Sequence, residues 1–420
     1  MDSQPLDTQV RRQLLLSLRG RDRQELDQGT VERTLREVFQ QLALQGQRLD
    51  EPTQARITNE ILHEIVLYGP LYVPMFDPEI TEIMVNGVDA IFVERKGIYE
   101  RASVRFADAQ QVRAFVSRLV ALNEGRRLDQ ASPMIDLSLP GGARVNVIIP
   151  PVVAGSPYIT IRKYVRQMRK LDDFIENGSM DGRVAQFLYA CIRSHANLLF
   201  SGAAGSGKTT LLEILSRYID ERERLVVIED TMELRFDQPN VARLLSRPPN
   251  VEGKGEITIG DLFRNSLRMR PTRIILGELR GPEAMNYLQA LNSGHDGSLA
   301  VIHASRPLEA LLRVEQLAAS HHLHIPERVI RRQIAHGLDI IVQHAQLADG
   351  TRKVARISEV AGLDEQGDLQ VRDIFAFHAD GRDKSGNIQG HFEATGVVPL
   401  VHRRFELAGA EIDADIYQQG

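Results

Sequence analysis

Gly202-Ala203-Ala204-Gly205-Ser206-Gly207-Lys208-Thr209 fits the pattern G-x-x-x-x-G-K-[ST] at every specified position. The run before it, Asn197-Leu198-Leu199-Phe200, is short and apolar enough to be a buried strand. The run after it, Thr210-Leu211-Leu212-Glu213-Ile214-Leu215, carries its apolar residues at helical spacing. A strand–loop–helix setting distinguishes a phosphate-binding loop from a chance glycine-rich turn. The glycines let successive backbone N–H groups aim at a phosphate chain, and the helix N-terminus adds its positive dipole end. The pattern predicts a nucleoside triphosphate held by residues 202–210, Gly202 through Thr209 and Thr210. Lys208 would reach the β- and γ-phosphates, and the Thr209 hydroxyl would take Mg²⁺.

The chain of 420 residues is long enough for two or three domains. Its 43% hydrophobic and 25% charged content is that of a soluble globular protein. The formal charge of −5 argues against a general nucleic-acid coat, so no direct nucleic-acid partner is expected. The single cysteine, Cys191, excludes an intramolecular disulfide and a cysteine zinc site, and its apolar helical surroundings predict a buried residue. With no apolar run of bilayer length and no secretory signal, the expected location is cytoplasmic.

Residues 1–67 read as a helical arm, with Val10, Leu14, Leu15 and Leu18, then Val31, Leu35, Val38, Phe39 and Leu42, at helical spacing. A polar stretch around Gly20–Gly29 reads as a linker between them. The arm is either a solvated appendage or a docking element. From Ile80 the period shortens. Strands are expected at Ile80–Val85, Ala90–Glu94 and Gly97–Arg101, with Asn86-Gly87 as a hairpin turn. A helix carrying Val112, Phe115, Val116, Leu119 and Val120 follows, then a hairpin over 137–149 and a strand from Ile159 to Tyr164. Residues 68–165 therefore read as an α+β domain, and the charged stretch after it, 166–172, as a linker. Residues 173–345 alternate strands and helices as an α/β sheet does. Strands are expected at Asn197–Ser201, Arg224–Glu229, Arg273–Gly277, Leu299–His303 and Asp339–Val342. Residues 346–420 read as a small β-rich C-terminal region.

Two apolar strands end in acid. One runs Val226-Val227-Ile228 into Glu229 and Asp230, with Glu233 close behind; the other runs Ile274-Ile275-Leu276-Gly277 into Glu278. Ligands of open α/β sheets bind at the carboxyl ends of strands, where such groups hold a magnesium-bound water or orient an attacking one. His295 and His303 bracket a strand of the same sheet. From the residues alone they are either structural or sensors of a γ-phosphate. Arginines suited to phosphate are plentiful: Arg127, Arg144, Arg162, Arg247, Arg264, Arg268, Arg270, Arg273 and Arg280.

Taken together, these stretches resemble the ATPase superfamily of type II and type IV secretion systems, most closely the CpaF branch of tight-adherence (Flp) pili. The resemblance rests on Ile135–Pro140, Arg144–Pro151, Ile159–Lys163, the loop motif, Arg247-Pro248-Pro249-Asn250-Val251-Glu252-Gly253, Leu267–Pro271, Ile274–Glu283 and Gly294–Ala304. It implies an α/β fold: a RecA-like P-loop domain preceded by a smaller α+β, PAS-like domain and a helical arm. It implies ATP and Mg²⁺ as ligands. It also implies a homo-hexamer held peripherally at the cytoplasmic face of the inner membrane by pilus platform proteins. Glu229, Asp230 and Glu233 then fall on an acidic box and Glu278 on the Walker B glutamate. His295 and His303 fall on the His box, and Arg144 and Arg162 become candidates to close on phosphate. Metal contacts would come from Thr209, with Glu278 and Asp230 acting through water. The chain lacks the aspartate many P-loop enzymes carry ahead of the Walker B glutamate; Gly277 stands there. Two other readings fit the same residues: a type IV secretion traffic ATPase moving protein or DNA, and a nucleotide-gated scaffold that does not hydrolyse.

Overall fold

The structure, a computed structural model, describes residues 6–18, 28–95, 98–123, 127–139, 142–163, 170–249, 253–320, 325–383 and 386–418. The chain divides into two compact units, Met1–Arg166 and Gln167–Gly420.

The first unit opens with helices α1 (Leu6–Leu18), α2 (Gln28–Leu44), α3 (Glu51–Tyr68) and α4 (Tyr72–Phe76). Strands β1 (Ile80–Val85), β2 (Ile91–Arg95) and β3 (Ile98–Arg101) follow, then α5 (Ala109–Ala121), β4 (Met134–Ser138), β5 (Arg144–Ile148) and β6 (Tyr158–Arg162). The polar stretch read as a linker falls mostly on residues 19–27, which lie outside the described residues, as do Gly97 and Tyr164.

Local chemistry sets the helix starts. The Asp50 carboxylate accepts from Thr53 N at 2.9 Å to cap α3, and Asp108 accepts from Gln111 N at 2.8 Å to cap α5. The six strands form one antiparallel sheet in the order β3-β2-β1-β6-β5-β4. Alternate residues, among them Ile83, Val93, Val145, Val147, Ile159 and Ile161, are buried on one face. The residues expected to form a helical arm share that core. Val10, Leu14, Val31, Leu35, Ile57 and Ile61 belong to the same continuous cluster as Ile83 and Ile161. The helical faces of α1–α3 therefore complete the fold of this unit.

The second unit runs α6 (Leu171–Glu176), α7 (Gly182–Arg193), β7 (Leu198–Gly202), α8 (Lys208–Ser216), β8 (Leu225–Glu229), β9 (Val241–Leu245), α9 (Ile259–Ser266), β10 (Arg273–Leu276) and α10 (Glu283–Leu291). It continues with β11 (Leu299–Ile302), α11 (Pro307–Ala319), α12 (Glu327–Gly337), β12 (Ile340–Gln346), β13 (Arg352–Leu363), β14 (Leu369–Arg382), β15 (Ile388–Ala394) and α13 (Arg403–Leu407). One nine-stranded sheet has the order β15-β14-β13-β12-β7-β11-β10-β8-β9. Pairing is parallel from β12 through β9 and antiparallel from β12 outward to β15.

Every residue of β7, β8, β10 and β11 is buried, which is why the strands are apolar except at their ends. Their alternation feeds two cores. Leu198, Phe200, Leu225 and Val227 join α7 and α8, while Leu199, Val226 and Ile228 join α9 to α12. The unit is thus an α/β sheet with helices on both faces. The edge strand β9 escaped the sequence reading because its pairing leaves it only partly buried and it contains Arg243. Residues 346–420 hold three long strands of the second unit. β13–β15 lengthen the same sheet, and Phe375, Phe405 and Tyr417 pack around Phe187 of α7.

Candidate nucleotide-binding site

Parallel register brings the carboxyl ends of β7, β11, β10 and β8 to one rim. Ser201 is level with Ile302, and Leu276 with Ile228. The loop 203–207 leaves β7 at this rim and turns into α8. Gly207, at φ 101°, provides the left-handed cap that launches the helix. Gly202 is forced by a different neighbour: a Cβ there would lie 2.6 Å from the carbonyl oxygen of His344 on adjoining β12. Ala203, Ala204 and Gly205 are exposed, whereas Thr209 and Thr210 are half-buried in the first turn of α8. Ser206 stabilises the loop by donating its hydroxyl to Ala203 O at 2.9 Å.

Lys208 is buried, and its ammonium donates to the carbonyls of Gly202 (2.9 Å) and Ala203 (2.7 Å). It also lies 3.3 Å from Nδ1 of His303, at the end of β11. An ammonium only donates, so Nδ1 is the acceptor and the imidazole proton sits on Nε2. That nitrogen lies 3.2 Å from Oε1 of Glu278. Burial and the Lys208 charge hold the His303 pKa below its ordinary value, which favours this neutral tautomer.

Glu278 follows β10 and is reached on its other oxygen by Arg280 NH2 at 2.6 Å. Partial burial opposes its charge, but the Arg280 hydrogen bond and the charges of Arg280, His303 and Lys208 prevail. They hold its carboxyl below the usual range. Arg280 also contacts Asp230 at 3.3 Å, and Asp230 accepts from the Ser246 hydroxyl at 2.6 Å. Buried Glu283 fixes the turn carrying Arg280, accepting from the backbone N–H of both Arg280 and Gly281 at 2.8 Å. A continuous polar chain therefore runs Lys208, His303, Glu278, Arg280, Asp230.

Glu229 stands beside this chain. Its Oε1 accepts from the backbone N–H of Glu233 (3.0 Å) and Leu234 (2.9 Å), which shapes the acidic loop. Its Oε2 is buried with no hydrogen-bond partner among the described residues. Burial pushes this carboxyl up to about 7 against the pull of the two N–H groups. The glycine in place of the usual aspartate has a local cause. A Cβ at Gly277 would lie 2.8 Å from Glu229 Cγ, so the glutamate side chain of β8 occupies that space.

Not every candidate joins the group. His295 lies before the start of β11, at the opposite end of the strand from His303, with Nδ1 3.5 Å from Ser293 Oγ. Arg273 is fully buried at the amino end of β10, where it pairs with Glu223 at 2.7 and 2.9 Å. Arg247 and Arg264 are engaged locally, with Gly255 O and Asp261 respectively. In the first unit, Arg144 and Arg162 face each other as cross-strand partners on β5 and β6, and Arg162 lies 3.8 Å from Glu82.

The sequence reading missed the β12 contribution. His344 is buried behind the loop, and burial together with Lys208 lowers its pKa to about 3. Gln343 donates to Ala304 O at 3.1 Å. The available signal was Ile340-Ile341-Val342 running into Gln343-His344, the same apolar-to-polar strand ending seen at β8 and β10.

Among the described residues no group of three or more His, Cys, Asp or Glu side chains forms a metal cluster, and no helix is long and apolar enough to cross a membrane. The glycine cradle, the Lys208 ammonium and the Thr209 hydroxyl at the helix start fit a magnesium–nucleotide, which needs few protein ligands.

A family model described as type II/IV secretion system protein matches residues 69–388. A putative conjugal transfer protein of Mycobacterium tuberculosis is 34% identical over 306 residues, covering 71% of this chain and 85% of that one. The conjugal transfer protein TrbB of Rhizobium radiobacter is 32% identical over 300 residues, covering 70% and 87%. Among solved structures, the VirB11 ATPase of the Brucella suis type IV secretion system is similar at 27% identity and TM-score 0.38, covering 71% of this chain and 96% of that one. The matched span holds the glycine-rich loop, both acidic strand ends and His303, and the chain belongs to the type II/IV secretion system protein family.

Proposed function

We propose that the chain is a P-loop ATPase that hydrolyses ATP to ADP and phosphate to drive a secretion or pilus machine. The observation that carries this reading is the link Lys208–His303–Glu278, which joins the phosphate-binding lysine to an acid held ionised. With ATP in the loop, Lys208 exchanges its carbonyl partners for the β- and γ-phosphates, and His303 holds Glu278 where it orients the attacking water. Mg²⁺, when bound, would supply charge neutralisation to the phosphates; Thr209 would hold it, with Glu278 and Asp230 acting through water. Glu229 and Glu233 set the acidic loop. Arg144 and Arg162, two cations side by side, have the chemistry to receive phosphate oxygens. In this reading residues 173–345 belong to the motor domain and 68–165 form a second, α+β domain.

The machine we favour is a homo-hexamer at the cytoplasmic face of the inner membrane, acting through platform proteins to assemble a Flp-type pilus. The stretches Arg247–Gly253 and Leu267–Pro271 support that branch. The conjugal transfer names of two relatives support a second reading, a type IV secretion motor for protein or DNA. Steady-state ATP turnover of the full chain tests the first claim. Wild type should hydrolyse ATP, and Glu278→Gln should bind it with turnover lower by on the order of 100-fold. Binding without turnover in assembled wild type sinks the motor reading and leaves a scaffold. Deletion in the host decides the machine: loss of pili supports the first branch, loss of conjugal transfer the second.

A further inference from the structure

Arg352 opens β13, paired with Gln346 across a tight turn. Leu347 N donates to Thr351 O at 2.8 Å to close that turn, and Asp349 accepts from Thr351 N and Ile388 N at 2.9 and 2.6 Å. The next residue, Lys353, is pinned by its ammonium to Gly178 O at 2.6 Å. Arg352 therefore grows from a braced backbone. Its stem lies beside the end of the loop: a Cβ on Gly207 would lie 3.9 Å from Arg352 Cδ. The side chain is exposed, and no described residue hydrogen-bonds or ion-pairs with its guanidinium. Other arginines of this unit differ. Arg280 is tied to Glu278 and Asp230, Arg356 to Asp373, and Arg217 to Asp237.

The sheet order gives the position meaning. β12 and β13 lie on one side of β7, and β11 and β10, which carry His303 and Glu278, on the other. A phosphate chain lying in the loop with its terminal phosphate toward Glu278 turns its inner phosphates toward β12 and β13. Lys208 serves the middle and outer positions, and a second planar cation matches the inner ones.

We propose that Arg352 is a nucleotide-binding residue that grips the α- and β-phosphates of the nucleoside di- or triphosphate, from the side of the loop opposite Glu278. This rests on the reading of the loop as a nucleotide site.

The test is equilibrium binding of fluorescent ADP and ATP to the full chain, wild type against Arg352→Ala and Arg352→Lys, with inorganic pyrophosphate as competitor. We expect Arg352→Ala to weaken ADP, ATP and pyrophosphate alike by about tenfold, the scale of one charge-assisted hydrogen bond. Arg352→Lys should recover part of that loss. The KM for ATP should rise by more than kcat falls. The melting temperature should stay within a degree or two, because an exposed side chain is removed. Unchanged binding in Arg352→Ala overturns the role of Arg352 alone. Loss of ATP affinity with ADP intact, or loss of nucleotide with pyrophosphate intact, overturns the placement at the inner phosphates. Wild type that binds none of the three overturns the nucleotide-site reading and this one with it.

Discussion

His303 stands between Lys208 and Glu278, 3.3 Å from the ammonium through Nδ1 and 3.2 Å from the carboxylate through Nε2. Only a neutral ring can accept from one and donate to the other. His303→Ala should therefore lower kcat by on the order of 100-fold while changing nucleotide affinity far less. Because the His303 pKa is depressed, its protonation should not erode activity until the pH falls below the free-imidazole value of about 6.5. A kcat–pH profile checks this; an acid limb centred at or above that value would refute the neutral-ring assignment.

Gly277 owes its identity to Glu229. Gly277→Ala should destabilise the protein by about 1–3 kcal/mol, the cost of overpacking a filled site, and should displace the acidic loop. Combined with Glu229→Ala, which empties the space, it should cost markedly less than the sum of the two single changes. Denaturant unfolding of the four proteins gives the coupling, and strict additivity would mean that the two side chains do not compete.

Glu229 titrates near 7 when folded, raised from a usual value of 4.5. Between those values the folded chain binds more protons than the unfolded one, so this group's contribution to stability falls as pH rises from about 4.5 to 7. At pH 8 wild type carries a buried charge that Glu229→Gln lacks. The variant should melt a few degrees above wild type at pH 8 and no higher at pH 5. Melting curves at both values decide it, and the same difference at both would remove ionisation as the cause.

Arg273 tests a different end of the sheet. It is fully buried and also donates to Ile192 O at 2.9 Å, so Arg273→Met strands the Glu223 charge. A loss of about 3–5 kcal/mol is expected, with ADP affinity per folded molecule unchanged. Chemical unfolding beside ADP titration separates the two, and a selective affinity loss would return Arg273 to the phosphate-binding candidates.

Much of the second unit is legible in the residues, for a physical reason. Parallel strands covered on both faces must be apolar throughout, so Leu198–Phe200, Leu225–Ile228, Ile274–Leu276 and Leu299–Ile302 announce themselves. The loop glycines likewise carry their backbone requirement openly. What the chain cannot spell out is adjacency across the sheet. Nothing between Lys208 and His303 in sequence reveals that β11 lies beside β7, so the lysine–imidazole–carboxylate link appears only with strand order in hand. The same holds for Arg352, delivered by a hairpin beyond the last parallel strand. By contrast, the residues do show that His295 and His303 bracket one strand, and β11 sets them at its opposite ends. Of the arginines that residue type nominates, the fold puts Arg280 beside Glu278 and sends Arg273 into a buried ion pair.

The family match begins at residue 69, yet the core of the first unit begins at Val10. Homology and packing therefore have different starting points in this chain. A fragment cut at the edge of the recognisable family would lose Val10, Leu14, Val31, Leu35, Ile57 and Ile61 from the cluster that holds Ile83, Val93 and Ile161, and so would expose apolar surface to solvent. The unfamiliar first sixty-odd residues are upholstery the recognisable part cannot sit without, and a protease that clipped them would be expected to trade a folded unit for a sticky one.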